Sequence, residues 1–389
     1  MKRILVFALT AILLLSLLPL AFAEEGGQTA RELSFRPYYM GGESYALTDG
    51  GYTWVGIYGR GMTITLYADE PMASLYIEWE EPPEPWTLKC GEQEIPAGQN
   101  AFVHEYIALP EPVTELELLL PPEQDTIIAE MHVFSEGEKP DWVQDWLPPW
   151  QEADVFVLPT HSDDEFVFLG GVIPACIERG LRVQVGYIIR HNQLRRHEML
   201  NSLWTAGVRH YPVTSRCGDI YVGSQYEAES AYGLDYMTGY LVEQIRRFRP
   251  QVIVAQAEDG ESGHNAHIFG VRCLKAALEV SATAGAYPES EQLYGLYDVP
   301  KTYLHLYGRP EERTVLDFET PLPTFGGATA YEVACRAFEQ CVSQVEIGRY
   351  RVFGADSPYD CHQFGLYRSL VGPDLKKNDL FENLPLAGA

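Results

Sequence analysis

His161, Ser162, Asp163, Asp164 and Glu165 set an imidazole and three consecutive carboxylates side by side. They follow a short apolar run at 155–158 that stops at Pro159, the pattern of a buried strand. An apolar stretch from 166 to 177 then reads as a helix, with Gly170 and Gly171 permitting close packing. In open α/β sheets, ligands bind beyond the carboxyl ends of the strands. Four ionisable groups at such a point are a poor way to build a plain turn, and they suggest a metal site. A second polar cluster follows another predicted strand at 251–256: Glu258, Asp259, Gly260, Glu261, Ser262, Gly263, His264, Asn265, Ala266 and His267. A catalytic zinc takes three nitrogen or oxygen ligands and keeps one position open for water. His161 and Asp164, three apart on a tight turn, can meet at one centre, and His267 completes the set. Asp163 is then free to take a proton from the bound water, whose pKa zinc lowers from about 16 to about 7. His264, on the opposite side, would stabilise a developing oxyanion and protonate the leaving group. Glu165 reads as a first-turn residue favoured by the helix dipole.

These residues need a scaffold, and from residue 154 onward the pattern alternates. Strands are expected at 154–158, 181–189, 251–256 and 301–307, and helices at 194–206, 235–248, 268–281 and 329–345. Such alternation predicts an α/β fold, a mainly parallel sheet with helices on both faces. The segment 216–232, rich in Gly, Ser and Tyr, reads as a loop long enough to be functional, and the tail after Gly348 reads as irregular. Residues 32–135 follow a different pattern. Ile64 and Leu66 alternate with Thr63 and Thr65, and Leu75, Ile77 and Trp79 alternate with Tyr76 and Glu78. Period two between Gly and Pro clusters predicts an all-β sandwich. Its aromatic residues serve either as core or as faces on which sugars stack. Residues 136–153, with Pro140, Pro148, Pro149 and three tryptophans, form a linker packed onto its neighbours.

Residues 1–23 combine a short basic start, an apolar run and Ala21-Phe22-Ala23, a secretory signal peptide with cleavage after Ala23. The expectation is a secreted or extracytoplasmic protein with no stable membrane insertion once the signal is removed. The expected division is thus 1–23 signal, 32–135 β-sandwich, 136–153 linker and 154–389 α/β domain. A formal charge of −27 repels phosphate backbones, so nucleic acid is excluded as a partner. Seven scattered cysteines, an odd number without a CxxC pair, predict neither a disulfide framework nor thiolate ligation of a metal.

The segment His161-Ser162-Asp163-Asp164-Glu165 resembles the HPDDE motif of the PIG-L/LmbE-like family of zinc-dependent N-deacetylases. The stretch from Glu258 to His267 is similar to that family's later segment, which ends His-x-Asp-His, and Arg195-Arg196-His197-Glu198 is similar to its RxxE helix. The resemblance covers about residues 152–350. It implies a Rossmann-like fold, and it implies His161, Asp164 and His267 as ligands of zinc or another divalent transition metal. It further implies Asp163 as general base, His264 on the oxyanion side and Arg195 in contact with substrate, an N-acetylated sugar or glycan. The alternative is a non-catalytic glycan-binding protein with a vestigial or structural metal site. Two positions depart from the pattern: Ser162 stands in place of proline, which loosens the turn, and Ala266 in place of aspartate. Without that carboxylate, His264 lacks an orienting partner unless Asp259 or Glu261 supplies one.

Overall fold

The computed structural model describes residues 28–52 and 56–385; the expected signal peptide at 1–23 lies outside them. No helix among the described residues is long and apolar enough to cross a membrane.

The N-terminal strands, from Glu32–Leu33 to Thr126–Phe134, form one hydrogen-bonded antiparallel network. The sequence suggested two stacked sheets. Here two long strands, Thr63–Trp79 and His104–Leu119, run through the network, with irregular register between Tyr67 and Ser74. Ile64, Leu66, Leu75, Ile77 and Trp79 are buried in its core, as their spacing requires. Tyr76 and Glu78 should face solvent by the same alternation, yet they are 0% and 7% exposed. At that end the second face of the sheet is covered, Tyr76 packing with Phe134 and Val143 of the linker. Period two reports a face, and cannot tell a solvated face from one that meets another domain.

In the C-terminal half, Val213–Thr214, Val183–Tyr187, Val155–Leu158, Val252–Ala255 and Lys301–His305 lie side by side and parallel. Gln363–Ser369 and Thr314–Val315 extend this sheet antiparallel. Successive side chains of a strand point to opposite faces. Val155 and Val157 accordingly join one core with the helices Val172–Glu178, Gln193–Thr205 and Ala330–Phe338, while Phe156 and Leu158 join another with Leu234–Phe248 and Asn265–Val280. Helices therefore cover both faces. The single helix expected over 166–177 is two short ones, Asp164–Val167 and Val172–Glu178. Between them Gly170 has φ +54°, and a Cβ there would lie 2.5 Å from Cys361 Sγ. Two other expectations are corrected. The segment 216–232 ends in a helix, Gln225–Tyr232, capped by Ser224, and the tail after Gly348 contributes the strand Gln363–Ser369. All seven cysteines are free.

One helix belongs to both halves. Glu81 of the β-domain accepts from Gln193 Nε2 at 2.8 Å and from Arg196 Nη1 at 3.1 Å, and the Glu80 carbonyl accepts from Arg196 Nη2 at 3.0 Å. These contacts grip the first turns of Gln193–Thr205, which also carry Arg195 toward the metal-type cluster.

Candidate metal centre

The turn after Val155–Leu158 and the start of Asn265–Val280 bring His161, Asp164 and His267 together. Asp164 Oδ2 lies 3.2 Å from His161 Nδ1 and 3.2 Å from His267 Nε2, and the two nitrogens are 3.1 Å apart. A tetrahedral ion about 2.0–2.1 Å from each donor needs donor–donor edges of about 3.3 Å, so this triangle is close to the right size. The chemistry of the donors agrees. Burial opposes charge on His267, but Asp164 and Glu261 push its pKa up to about 10. Burial likewise opposes charge on Asp164, yet His267 and His161 hold it well below the carboxylate range. The arrangement thus calls for positive charge where the three donors converge.

Outer partners fix which nitrogen of His267 faces inward. Its Nδ1 meets Glu261 Oε2 at 3.0 Å and the Gln256 amide at 2.9 Å, leaving Nε2 for the centre. A carboxylate behind a ligating histidine sets the tautomer and raises its basicity. Glu261 does this from a strained backbone, φ +48°, and its other oxygen meets His305 Nδ1 at 3.1 Å.

Asp163 sits beside the triangle, buried, with φ +113°, outside the usual range for a side chain that is not glycine. Its N–H donates to Glu165 Oε2 at 2.9 Å, and its Oδ1 accepts from Arg195 Nη2 at 3.1 Å. Burial and the neighbouring Asp164 raise its pKa well above the usual value, against the pull of Arg195. Glu165 is therefore more than a first-turn residue. Fully buried and bonded to Tyr187 Oη at 2.8 Å, it braces the Asp163 backbone, and burial lifts its own pKa to about 7.

Arg195 is largely engaged, holding Asp163 and, at 3.2 Å, Asp219. Sequence reasoning missed Asp219 and His191. His191 Nε2 accepts the Ser162 N–H at 2.7 Å, so its Nδ1 carries the proton toward Asp219 Oδ2 at 3.2 Å. Proline has no N–H, so Ser162 gains an anchor for the turn. The available signal was positional: His191 also lies just past a parallel strand, Val183–Tyr187.

His264 stacks on His267 with ring centroids 4.2 Å apart, and one of its ring nitrogens lies within 4.8 Å of donor atoms of His161 and His267. Neither acid offered as an orienting partner reaches it. Asp259 caps the N–H of Glu261, and Glu261 serves His267 and His305. Ala266 is buried in the apolar core.

No protein-family model matches the chain. A curated relative, the mycothiol S-conjugate amidase of Streptomyces coelicolor, is 40% identical over 79 residues, 20% of this chain and 26% of that protein. The chain thus spans about a quarter of the length of the relative it matches. Among solved structures, N,N'-diacetylchitobiose deacetylase from Pyrococcus horikoshii has a TM-score of 0.34 and 16% identity over 55% of this chain and 75% of that one. A conserved protein from Thermus thermophilus has a TM-score of 0.37 and 17% identity over 50% and 81%. The amidase match bears out the likeness to the PIG-L/LmbE-like family.

Proposed function

We propose that the protein is an exported, zinc-dependent hydrolase that removes the acetyl group from an N-acetylated amino sugar or glycan. In this reading a Rossmann-like domain carries the site and a β-sandwich domain precedes it. The observation that supports it most is the triangle of His161, Asp164 and His267 with Asp163 beside it. When bound there, a divalent ion supplies an electrophile for the amide carbonyl and lowers the pKa of water. Asp163 takes the proton of the attacking water while Arg195 and Glu165 hold it in place. In this reading His264, which has a ring nitrogen within 4.8 Å of donor atoms of His161 and His267, donates a hydrogen bond to the oxyanion.

The rival reading, a non-catalytic glycan-binding protein, draws support from His264, whose ring has no hydrogen-bond partner among the described residues. Acetate release from chitooligosaccharides, measured with metal content, separates the two. Wild-type protein should release acetate. Asp163→Asn should lose about 10²–10⁴-fold in turnover while keeping its metal. Metal-loaded wild type with no turnover on a panel of N-acetylated sugars would leave the binding reading standing.

A further inference from the structure

The segment 216–232 carries Tyr221 and Tyr226, 91% and 83% exposed, the two highest values among the large hydrophobic residues described. Single apolar side chains at a surface need no explanation. Here Ile220 is half exposed as well, so an apolar strip runs from 220 to 226. The backbone beneath it is tied to the metal centre on both sides. Asp219 Oδ1 lies 3.9 Å from His161 Nε2, and its Oδ2 meets His191 Nδ1 and Arg195 Nη1, each at 3.2 Å. Tyr221 stands two residues further on, so its Cα is within about 7 Å of that of Asp219. The Val222 carbonyl accepts from Asn265 Nδ2 at 3.3 Å, and Gln225 Nε2 donates to the Asn265 carbonyl at 2.8 Å. Asn265 directly follows His264, and Tyr226 directly follows Gln225 on the first turn of the helix Gln225–Tyr232. Tyr232 Oη holds the Ile220 carbonyl at 3.0 Å. Two solvent-facing rings are therefore mounted beside the centre on a fixed backbone, the usual way in which a scaffold presents binding residues.

We infer that Tyr221 and Tyr226 form a stacking platform for the sugars next to the acetylated one, so that the substrate is an oligosaccharide and not a monosaccharide. The inference rests on the proposed deacetylation at the neighbouring centre. The C–H groups on one face of a pyranose, made slightly positive by the ring oxygens, meet the negative face of an aromatic ring. Tyrosine suits this task because it offers a large flat area with only two side-chain torsions to order. An acyl chain fits less well, since it needs an enclosed apolar groove and both rings stand almost wholly in solvent.

Calorimetry on the full-length, metal-loaded protein tests this with N-acetylglucosamine and tri-N-acetylchitotriose, in the Asp163→Asn background to suppress turnover. The trisaccharide should bind about ten-fold more tightly than the monosaccharide, the effect of stacking on an aromatic face. Tyr221→Ala and Tyr226→Ala should each weaken trisaccharide binding, and the double variant should reduce it to the monosaccharide level. Tyr221→Phe and Tyr226→Phe keep the rings and should keep the affinity. Tyr45→Ala, at another exposed tyrosine, should change nothing. Absence of trisaccharide binding, equal affinity for the two sugars, or unchanged trisaccharide affinity in the double variant overturns the proposal. So does an equal loss in the phenylalanine variants, which would assign the effect to the hydroxyls. Acetate release is measured on the corresponding proteins with Asp163 intact. Trisaccharide held by the two rings without acetate release supports the platform and counts against the deacetylase; release with a KM that ignores both rings does the reverse.

Discussion

Two clusters of imidazoles and carboxylates are alike in proximity and opposite in wiring. His161, His264 and His267 at one place, and Glu78, His104 and His197 at another, each bring three ligand-type atoms within 4.8 Å. In the second cluster every ring nitrogen is already used. Trp146 donates to Gln144 Oε1, which identifies that atom as an acceptor, so His104 Nδ1 carries a proton toward it at 2.8 Å. His104 Nε2 therefore accepts from His197 Nδ1 at 2.7 Å, and His197 Nε2, left as an acceptor, meets Glu80 Oε2 at 3.1 Å, where the proton belongs to the Glu80 carboxyl, whose pKa burial raises. That is a hydrogen-bond chain joining the N-terminal sheet to a helix of the C-terminal half. In the first cluster, nitrogens from two rings and one carboxylate oxygen converge on a shared point, with Glu261 behind His267. Proximity nominates both clusters; only the direction of the lone pairs separates them.

The largest effect should come from treating the two alike. His267→Ala should abolish stoichiometric metal binding and any activity that depends on it, whereas His104→Ala should leave metal content unchanged, both read by elemental analysis. Metal retained by the first variant or lost by the second would erase the distinction. A finer cut removes only the outer support. Glu261→Gln keeps all three donors but weakens the partner of His267 Nδ1, and should cost about 10–100-fold in metal affinity by competition with a chelator. Unchanged affinity would make Glu261 a structural brace for His305 and the local backbone.

The second cluster should respond in stability instead. His104 is fully buried, so His104→Ala opens a cavity and strips partners from Gln144 and His197. The expected cost is about 3–5 kcal/mol in denaturant unfolding. A cost below about 1 kcal/mol would mean that the chain of hydrogen bonds contributes little to docking the domains.

The same contrast explains what the sequence made legible. The first cluster lies after two strands of one sheet, at 161–165 and 264–267, where residue order alone puts polar groups beyond the strand ends. That His161, Asp164 and His267 come together could be read from that rule. Glu261 stood in the same segment, but its partner could not be read, because its direction depends on the strained turn at Glu261 and Ser262. His104 and His197 are 93 residues apart, one on a strand of the N-terminal sheet and the other on the helix Gln193–Thr205, so nothing local pairs them. Glu78 was misplaced for a related reason. Alternation put it on the face away from the core, and that face is closed by segments whose docking no periodicity encodes.

Glu78 also offers the smallest effect, and it bears on how the interface tolerates a buried acid. Burial raises its carboxyl from 4.5 to about 7, with Glu130 adding to the rise and His132, Tyr52 and Tyr76 opposing it. The folded state therefore binds this proton more tightly than the unfolded chain. Its stabilising contribution is fully present below pH 4.5 and is lost as pH rises through 7, a swing of up to about 3 kcal/mol. His197 has the opposite sign. Burial lowers its pKa to about 3, so its contribution is present above 6.5 and lost as pH falls. Above pH 7 only the Glu78 penalty remains of the two. Glu78→Gln, neutral and nearly isosteric, should then raise the melting temperature by a few degrees at pH 8 and change little at pH 4. An equal shift at both pH values would show that the gain comes from packing, and that the interface does not strain against an ionised Glu78.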